Sequence, residues 1–131
     1  MIDTPSQGSA PRTKLLLVEN DAGVRRSLQL LLHGRGYEVR AYSTGHQILA
    51  DPRLSEAACL IADYRLDDMD GLAVLRDLRA RGWQQPAILI TAHGTTRLAE
   101  AAKAAGFAAV LEKPLQDDTL FETLHRTTRP H

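Results

Sequence analysis

The sequence contains one cysteine, no excess of charge of either sign and no long apolar run. The single thiol, Cys59, cannot form an internal disulfide or a cysteine-rich metal site, and its apolar neighbours predict a small buried core residue. Sixteen Lys and Arg balance sixteen Asp and Glu, so the chain as a whole is not attracted to nucleic acid or to an anionic membrane. We therefore expect no direct nucleic acid binding.

Membrane insertion is also not expected, because no stretch approaches the roughly 18 apolar residues of a transmembrane helix. Residues 1–13 contain Asp, Ser, Gln, Gly and two Pro where a signal peptide needs an apolar segment. We expect a flexible N-terminal tail over residues 1–13, one folded domain over residues 14–128 and a cytoplasmic location. With 131 residues, 44% of them hydrophobic, the chain can bury a single core.

Five short apolar segments predict five β-strands. Four of these segments are nearly continuous in apolar character, which is typical of strands that are covered on both faces of a parallel sheet. The predicted strands are residues 15–18, 37–42, 59–62, 87–90 and 108–111.

Between the strands, apolar residues recur at helical spacing and predict five helices. The recurring positions are Val24, Leu28, Leu31 and Leu32, then Leu72, Leu75 and Leu78, then Leu98, Ala101, Ala102 and Ala105, and finally Leu120, Phe121 and Leu124, with a short helix expected over residues 44–50. We expect Asp70 and Thr95 to cap helix N-termini. We expect Gly34, Gly82 and Gly106 to adopt the left-handed conformation after helix ends.

Strands that alternate with helices through short loops predict an α/β fold of the (βα)5 type, with a doubly wound, five-stranded parallel sheet. The ligand site of such a sheet lies at the carboxyl ends of the strands, where the strand order reverses. The residues at those ends are Glu19, Asn20 and Asp21 after strand 1, Asp63 after strand 3, Thr91 after strand 4, and Lys113 with Pro114 after strand 5.

These strand-end residues favour chemistry on a phosphoryl group beside a hard cation. Mg²⁺ prefers oxygen ligands and keeps several waters, so a few protein oxygens suffice to hold it. One carboxylate can act as a nucleophile toward a phosphoryl donor. The hydroxyl and the ammonium can then bind the transferred oxygens and offset their charge.

Four motifs resemble those of the receiver domains of two-component response regulators, in the family's order and at its spacing. They are Leu-Leu-Val-Glu-Asn-Asp at residues 16–21, Asp-Tyr-Arg-Leu-Asp-Asp-Met-Asp-Gly at 63–71, Ile-Thr-Ala at 90–92 and Glu-Lys-Pro at 112–114. The resemblance extends from Lys14 to about Arg126 and implies the flavodoxin-like receiver fold with strand order 2-1-3-4-5. Residues 90–94 and 112–115 look most like the nitrogen-fixation regulator branch, and receivers of hybrid histidine kinases look similar.

The resemblance also implies roles for individual residues. Asp63 would be the phosphoacceptor, Thr91 the switch hydroxyl and Lys113 the phosphate-binding lysine, with a cis peptide bond between Lys113 and Pro114. A Mg²⁺ cofactor is implied, with Glu19 acting through water and Asn20 as a direct ligand. The implied magnesium site is completed by Asp63 and the backbone carbonyl of Arg65.

The function implied by the resemblance is a signalling switch, which assists its own phosphotransfer and dephosphorylation and is not otherwise an enzyme. Asp63 would accept a phosphoryl group from a phosphohistidine of a sensor histidine kinase in a Mg²⁺-dependent reaction. Helix 4, strand 5 and helix 5 would then engage a downstream protein partner or a second copy of the chain. Arg65 and His93, each two residues beyond a site residue, are expected to lean over the mouth of the site.

Three departures from the family pattern leave an alternative open. Asn20 replaces an acid, Asp67 stands where the family usually has proline, and Val110 stands where an aromatic residue is common. The alternative is an atypical receiver that acts as a phosphorylation-independent protein-binding module. We interpret Asp67, Asp68 and Asp70 as a solvated loop and a helix cap rather than as further metal ligands.

Two other protein classes of similar architecture, an electron carrier and a hydrolase, do not fit the sequence. A flavodoxin-like electron carrier needs a hydroxyl- or glycine-rich phosphate loop after strand 1, and residues 20–24 do not form one. An aspartyl-phosphate hydrolase would usually place its nucleophile on strand 1 within an Asp-x-Asp motif. The sequence therefore favours a receiver.

Overall fold

A computed structural model describes residues 12–128, so most of the N-terminal tail expected over residues 1–13 lies outside the described residues. The strands are β1 (Lys14–Val18), β2 (Glu38–Tyr42), β3 (Cys59–Asp63), β4 (Ala87–Thr91) and β5 (Ala109–Glu112). These five parallel strands form one sheet in the order β2-β1-β3-β4-β5, which confirms the predicted fold and strand order.

Five α-helices connect and follow the strands. They are α1 (Ala22–Gly34), α2 (Gly45–Leu49), α3 (Gly71–Ala80), α4 (Thr96–Ala105) and α5 (Asp117–Thr128), with a short 3-10 helix at Leu54–Glu56. Side chains cap the N-termini of α3 and α4: Asp70 accepts from Ala73 N at 2.8 Å and Thr95 from Leu98 N at 3.0 Å, as predicted. None of the helices within residues 12–128 has the length and apolar character that crossing a bilayer requires.

The expected left-handed glycines are correct at two of three positions. Gly82 and Gly106 have φ values of 92° and 110°. The prediction for Gly34 is wrong, because Gly34 is the last residue of α1. The left-handed conformation, with a φ of 94°, belongs to Gly36. The helix continues to Gly34 since Arg35 N still bonds to Leu32 O, so the chain reverses two residues later than the glycine pattern predicted.

The sheet separates two apolar layers, as expected for a doubly wound fold. Helices α1 and α5 cover one face, and α2, α3 and α4 cover the other. Cys59 is completely buried in the first layer, and burial raises the pKa of its thiol to about 12. Cys59 is therefore a core residue, as predicted, and its thiol is protonated at neutral pH.

Candidate functional site

Three of the predicted site residues share one face of the sheet at its carboxyl edge. Side chains alternate between the two faces along a strand, and in β1, β3 and β5 the odd-numbered residues pack against α1 and α5. Glu19, Asp63 and Lys113 continue these odd-numbered series. In β4 the even-numbered residues face α1 and α5, so Thr91 belongs to the opposite face.

Glu19 is completely buried directly after β1. Its Oε2 accepts a hydrogen bond from Asp21 N at 3.0 Å. Its Oε1 lies 2.7 Å from Lys113 Nζ, but this ion pair lacks hydrogen-bond geometry, and no donor within residues 12–128 bonds to Oε1. Burial raises the pKa of Glu19, the neighbouring Asp63 carboxyl raises it further, and the Lys113 ammonium only partly offsets both.

Lys113 connects the two buried carboxylates. Its Nζ lies 2.7 Å from Glu19 Oε1 and 3.2 Å from Asp63 Oδ2, and the Asp63 residue is only 4% exposed. Burial alone would lower the pKa of Lys113, but the two carboxylates raise it above its ordinary value. The bond between Lys113 and Pro114 is cis, as the resemblance implied. A single ammonium group is thus paired with two carboxyl groups.

Thr91 ends β4 and is held by the loop that follows it. The residue is 4% exposed, and its Oγ1 accepts a hydrogen bond from His93 N at 3.2 Å. A hydroxyl that accepts one bond can still donate its proton elsewhere. His93 itself is exposed. The position of Thr91 therefore joins the edge of the site to the segment that leads into α4.

The side chains of Asn20, which follows Glu19, and Asp67 are in contact at the surface. Both residues are exposed, and Asn20 Nδ2 donates a long hydrogen bond of 3.4 Å to Asp67 Oδ1. The next residue, Asp21, caps α1 by accepting from Val24 N at 2.9 Å. The one predicted metal ligand with an uncharged side chain therefore has a carboxylate as its neighbour, and that neighbour lies 47 positions away in the sequence.

The backbone after Asp63 stays close to its carboxylate. Arg65 N lies 3.4 Å from Asp63 Oδ1, a long hydrogen bond that keeps residue 65 beside the site. The Arg65 side chain is exposed, with its guanidinium carbon 5.9 Å from the centre of the Tyr64 ring. A Cβ at Gly71 would lie 2.5 Å from Asp63 O, so this close approach requires glycine. The predicted carbonyl ligand of Arg65 thus belongs to a tightly held turn.

The interpretation of the aspartates in this loop is only partly correct. Asp70 is the helix cap that the sequence predicted. Asp68 is not a solvated loop residue: its carboxylate accepts from Gly45 N at 3.0 Å and from His46 N at 2.8 Å, and its side chain is only 18% exposed. The loop between β3 and α3 is therefore fastened to the start of α2.

Glu112 is a site-edge residue to which sequence reasoning gave no role. Its Oε2 accepts a hydrogen bond from Gly94 N at 3.3 Å, which ties the end of β5 to the loop between β4 and α4. The residue is part of the Glu-Lys-Pro motif, but the motif does not indicate which backbone amide the carboxylate meets. That contact depends on the side-chain direction at the sheet edge.

The donor set fits a magnesium ion. Within residues 12–128 no group of three His, Cys, Asp or Glu side chains surrounds a point as a complete metal cage would. Mg²⁺ does not need such a cage, because it is commonly held by one or two carboxylates and several waters. Glu19 and Asp63 supply carboxylates, Asn20 supplies an amide, and Glu19 Oε1 is a buried acceptor without an aligned donor.

Comparison with known sequences gives consistent matches. Residues 15–125 match the response regulator receiver domain. The chain is 36% identical over 112 residues to the transcriptional regulatory protein ZraR of Salmonella typhimurium and 31% identical over 112 residues to FixJ of Rhizobium meliloti. Each match covers 86% of this chain, but the chain spans only 25% of ZraR and 55% of FixJ. The FixJ match is consistent with the expected resemblance to nitrogen-fixation regulators.

Solved structures share the same architecture. The crystal structure of FixJ-N has a TM-score of 0.80 and 29% identity, and the match covers 91% of this chain and 95% of that one. The chemotaxis protein CheY4 of Vibrio cholerae has a TM-score of 0.84 and 25% identity, with 89% of this chain and 99% of that one covered. These solved structures thus share the topology of this chain over nearly their whole length.

Proposed function

Because this chain belongs to the response regulator receiver domain family of two-component systems, we propose that it is a phosphoacceptor switch whose receiver domain spans residues 14–128. Asp63 accepts a phosphoryl group from a phosphohistidine of a sensor histidine kinase. The product state changes the surface that a downstream protein or a second copy of the chain recognises.

The reaction is a displacement at phosphorus. An oxygen of the Asp63 carboxylate forms a bond to the phosphorus, and the bond from phosphorus to the histidine nitrogen breaks, with its electron pair leaving on the imidazole. The Lys113 ammonium and the Thr91 hydroxyl can bind the transferred oxygens. The chain therefore assists its own phosphorylation without being an enzyme that turns over a separate substrate.

The observation that supports this proposal most strongly is the contact of Lys113 Nζ with both Glu19 and Asp63, at 2.7 and 3.2 Å. A nucleophilic carboxylate that is held beside a fixed ammonium does not need to bind a counter-ion from solution before it reacts. Asp63 ends its strand at the carboxyl edge of the sheet, where the ligand sites of such folds lie.

A magnesium ion is part of the proposal. When bound, Mg²⁺ would offset negative charge as the phosphoryl donor approaches the carboxylates. Glu19, Asn20, Asp63 and the backbone carbonyl of Arg65 would hold it, with Glu19 acting through water. Lys113 and Thr91 would bind the transferred phosphoryl oxygens beside it.

The partner face of the proposed switch comprises α4, β5 and α5. Thr91 lies on the sheet face that packs against α3 and α4, and its hydroxyl bonds to the loop that leads into α4. A change at Thr91 therefore reaches α4 directly. The proposal includes a cytoplasmic location. It also includes no direct binding of nucleic acid by this chain, because the formal net charge is zero.

Incubation with a small phosphodonor, with and without Mg²⁺, tests the proposal when intact mass is measured afterwards. The wild-type chain should gain the mass of one labile phosphoryl group in the presence of Mg²⁺, and Asp63→Asn should gain none. Asp77→Asn, in a half-exposed residue of α3 paired with Arg81, is the matched control and should react as the wild type does. A wild-type mass that stays unchanged under saturating donor would favour the alternative, a binding module that does not depend on phosphorylation.

A further inference from the structure

We propose that Asp67 supplies the negative charge that Asn20 lacks at the cation site. The inference rests on the proposed function, since it assigns a further residue to the magnesium pocket of the same site. Asp67 acts by its charge and by orienting Asn20, and it is a positioning residue rather than a member of the reacting group.

The first argument is the contact itself. Asn20 occupies the position of a direct metal ligand, and its Nδ2 lies 3.4 Å from Asp67 Oδ1. An amide that turns its nitrogen toward a carboxylate keeps its oxygen for another partner, because an amide has one acceptor atom and one donor atom. Asp67 therefore favours the amide orientation that offers the oxygen to a cation.

The second argument is charge. With Asn20 in place of an acid, the side chains of Glu19 and Asp63 are opposed by one Lys113 ammonium, 2.7 and 3.2 Å away. The carboxylate of Asp67 adds a further negative charge at the mouth of this pocket. Charges a few ångströms apart near a protein surface interact appreciably even though water weakens them.

The third argument is that the loop holds Asp67 in place. Asp68, the next residue, accepts hydrogen bonds from Gly45 N at 3.0 Å and His46 N at 2.8 Å. On the other side, Leu66 N bonds to Met69 O at 3.2 Å. The backbone on both sides of Asp67 is therefore fixed, so its carboxylate is kept near Asn20 at a lower entropic cost than a free loop would require.

The departures at positions 20 and 67 thus form a pair. Asn20 stands at a position where the family has an acidic residue, and Asp67 stands at a position where the family usually has proline. The two positions are in contact. The acidic charge of the site is consequently retained in this chain, but it comes from the loop after β3 instead of from the end of β1.

Direct cation binding tests the inference, with Mn²⁺ as the probe, free Mn²⁺ measured by electron paramagnetic resonance and Mg²⁺ added as competitor. Asp67→Asn should weaken Mn²⁺ binding roughly tenfold, as expected for a nearby charge softened by water. Asp77→Asn removes one charge from the exposed surface of α3 and should leave binding unchanged. The double variant Asn20→Asp with Asp67→Asn should bind about as tightly as the wild type.

Thermal unfolding without divalent cations gives a second measurement. Asn20→Asp alone should lower the unfolding temperature, because two carboxylates would then face each other, and Mg²⁺ should reverse the loss. The loss should disappear when Asp67→Asn is also present. A merely structural role of Asp67 in the loop would not be rescued by a charge restored at position 20.

The outcomes separate this inference from the proposed function. If Asp67→Asn binds Mn²⁺ as tightly as Asp77→Asn does, Asp67 has no part in the site, and the phosphoacceptor role of Asp63 stands or falls by its own mass experiment. If the double variant stays as weak as Asp67→Asn, the charge argument is wrong. A wild-type chain that binds no Mn²⁺ overturns both the inference and the magnesium site.

Discussion

Lys113 faces two different carboxyl groups with a single charge. Its ammonium contacts Glu19 and Asp63, and the burial of Glu19 raises the pKa of that carboxyl instead of leaving it at its ordinary value. Removing a buried charge partner is costly because the remaining charges lose both water and counter-ion. In the proposed reaction the phosphoryl group brings more negative charge to the same place, which the proposed magnesium ion and Lys113 would offset together.

Arg65 is predicted to set the lifetime of the phosphoryl group. Its backbone lies beside Asp63 while its side chain extends into solvent, from where a guanidinium can bond a phosphoryl oxygen and occupy the approach of the attacking water. Arg65→Ala should therefore speed loss of the phosphoryl group without preventing phosphorylation, and His93→Ala should do so less. Rates of dephosphorylation after removal of the donor measure both effects. A rate for Arg65→Ala equal to or below that of the wild type would exclude Arg65 from this step.

The sequence predicts most of these residues but not their pairing. Strand ends identify Glu19, Asp63 and Lys113, because parallel strands bring their carboxyl ends to one edge. The contact between Asn20 and Asp67 could not be foreseen, since it joins two loops whose side-chain directions depend on the fold of the loop after β3. The complete burial of Glu19 likewise results from packing around β1, and no local pattern encodes it.

At the level of elements, the segment between β4 and α4 is held by two side chains at the carboxyl edge of the sheet. Thr91 Oγ1 accepts from His93 N at 3.2 Å, and Glu112 Oε2 accepts from Gly94 N at 3.3 Å. Val110, at the position where the family commonly has an aromatic residue, is half-buried against the layer that contains α4. A shift of Thr91 toward Asp63 would therefore pull on the loop, while strand β5 has no ring to rotate.

Activation is predicted to move residues 91–97 more than β5. Adding beryllofluoride and Mg²⁺ to isotopically labelled chain should change the amide shifts of the loop between β4 and α4 and of the first turn of α4 most strongly. The shifts around Val110 should change less. Asp63→Asn, which removes the acceptor carboxylate, should show neither set of changes. Large changes confined to Val110 and its neighbours, with residues 91–97 unaffected, would contradict this prediction.

The segment after α2 is fastened to the edge strand β2 by Asp51. Its carboxylate accepts hydrogen bonds from the Tyr42 hydroxyl and from Arg53 N, the latter at 2.8 Å. Hydrogen bonds from the Arg53 side chain, then from Tyr42, hold the pKa of Asp51 well below its ordinary value. A carboxyl with a lowered pKa in the folded state stabilises the fold above its unfolded pKa and loses that contribution as the pH falls through the folded value.

Asp51→Asn should therefore cost about 1 to 2 kcal/mol of unfolding free energy at neutral pH, as expected for lost bonds to a charged acceptor. The difference from the wild type should be constant down to about pH 5 and shrink below about pH 3.9, the ordinary pKa of aspartate. Urea unfolding at several pH values measures it. Asp77→Asn, which breaks only an exposed pair with Arg81, should change stability by about 0.5 kcal/mol or less. A difference for Asp51→Asn that does not depend on pH would refute the assignment.

Element positions follow from periodicity, but element ends do not. The apolar strand segments predict β1 to β5 because buried parallel strands have few other solutions. β3 and β4 nevertheless include Asp63 and Thr91, one residue beyond the apolar runs, since ladder pairing continues past the last apolar side chain. At the end of α1 the glycine signal failed, because two glycines, Gly34 and Gly36, flank a helix end that only backbone hydrogen bonds decide.

For the whole molecule, stability resides in the two apolar layers on either side of the sheet. Ile61 is completely buried in the central strand β3, so Ile61→Ala should cost about 2 to 5 kcal/mol of unfolding free energy. Leu30, 60% exposed on α1, provides the control, and Leu30→Ala should stay within about 0.5 kcal/mol of the wild type. Chemical unfolding of both variants measures the difference. Equal costs for the two would mean that the buried layer does not govern stability.

Every predicted site residue lies at the carboxyl edge of the sheet, whereas the left-handed glycines Gly36, Gly82 and Gly106 lie in the turns at the opposite edge. Between these ends runs the length of one strand, roughly 15 Å for five residues. The exposed turn at Gln84 and Gln85 is therefore the place to insert a reporter or a surface tether. A chain anchored there would present its site outward to a large partner, which makes it suited to immobilised sensing.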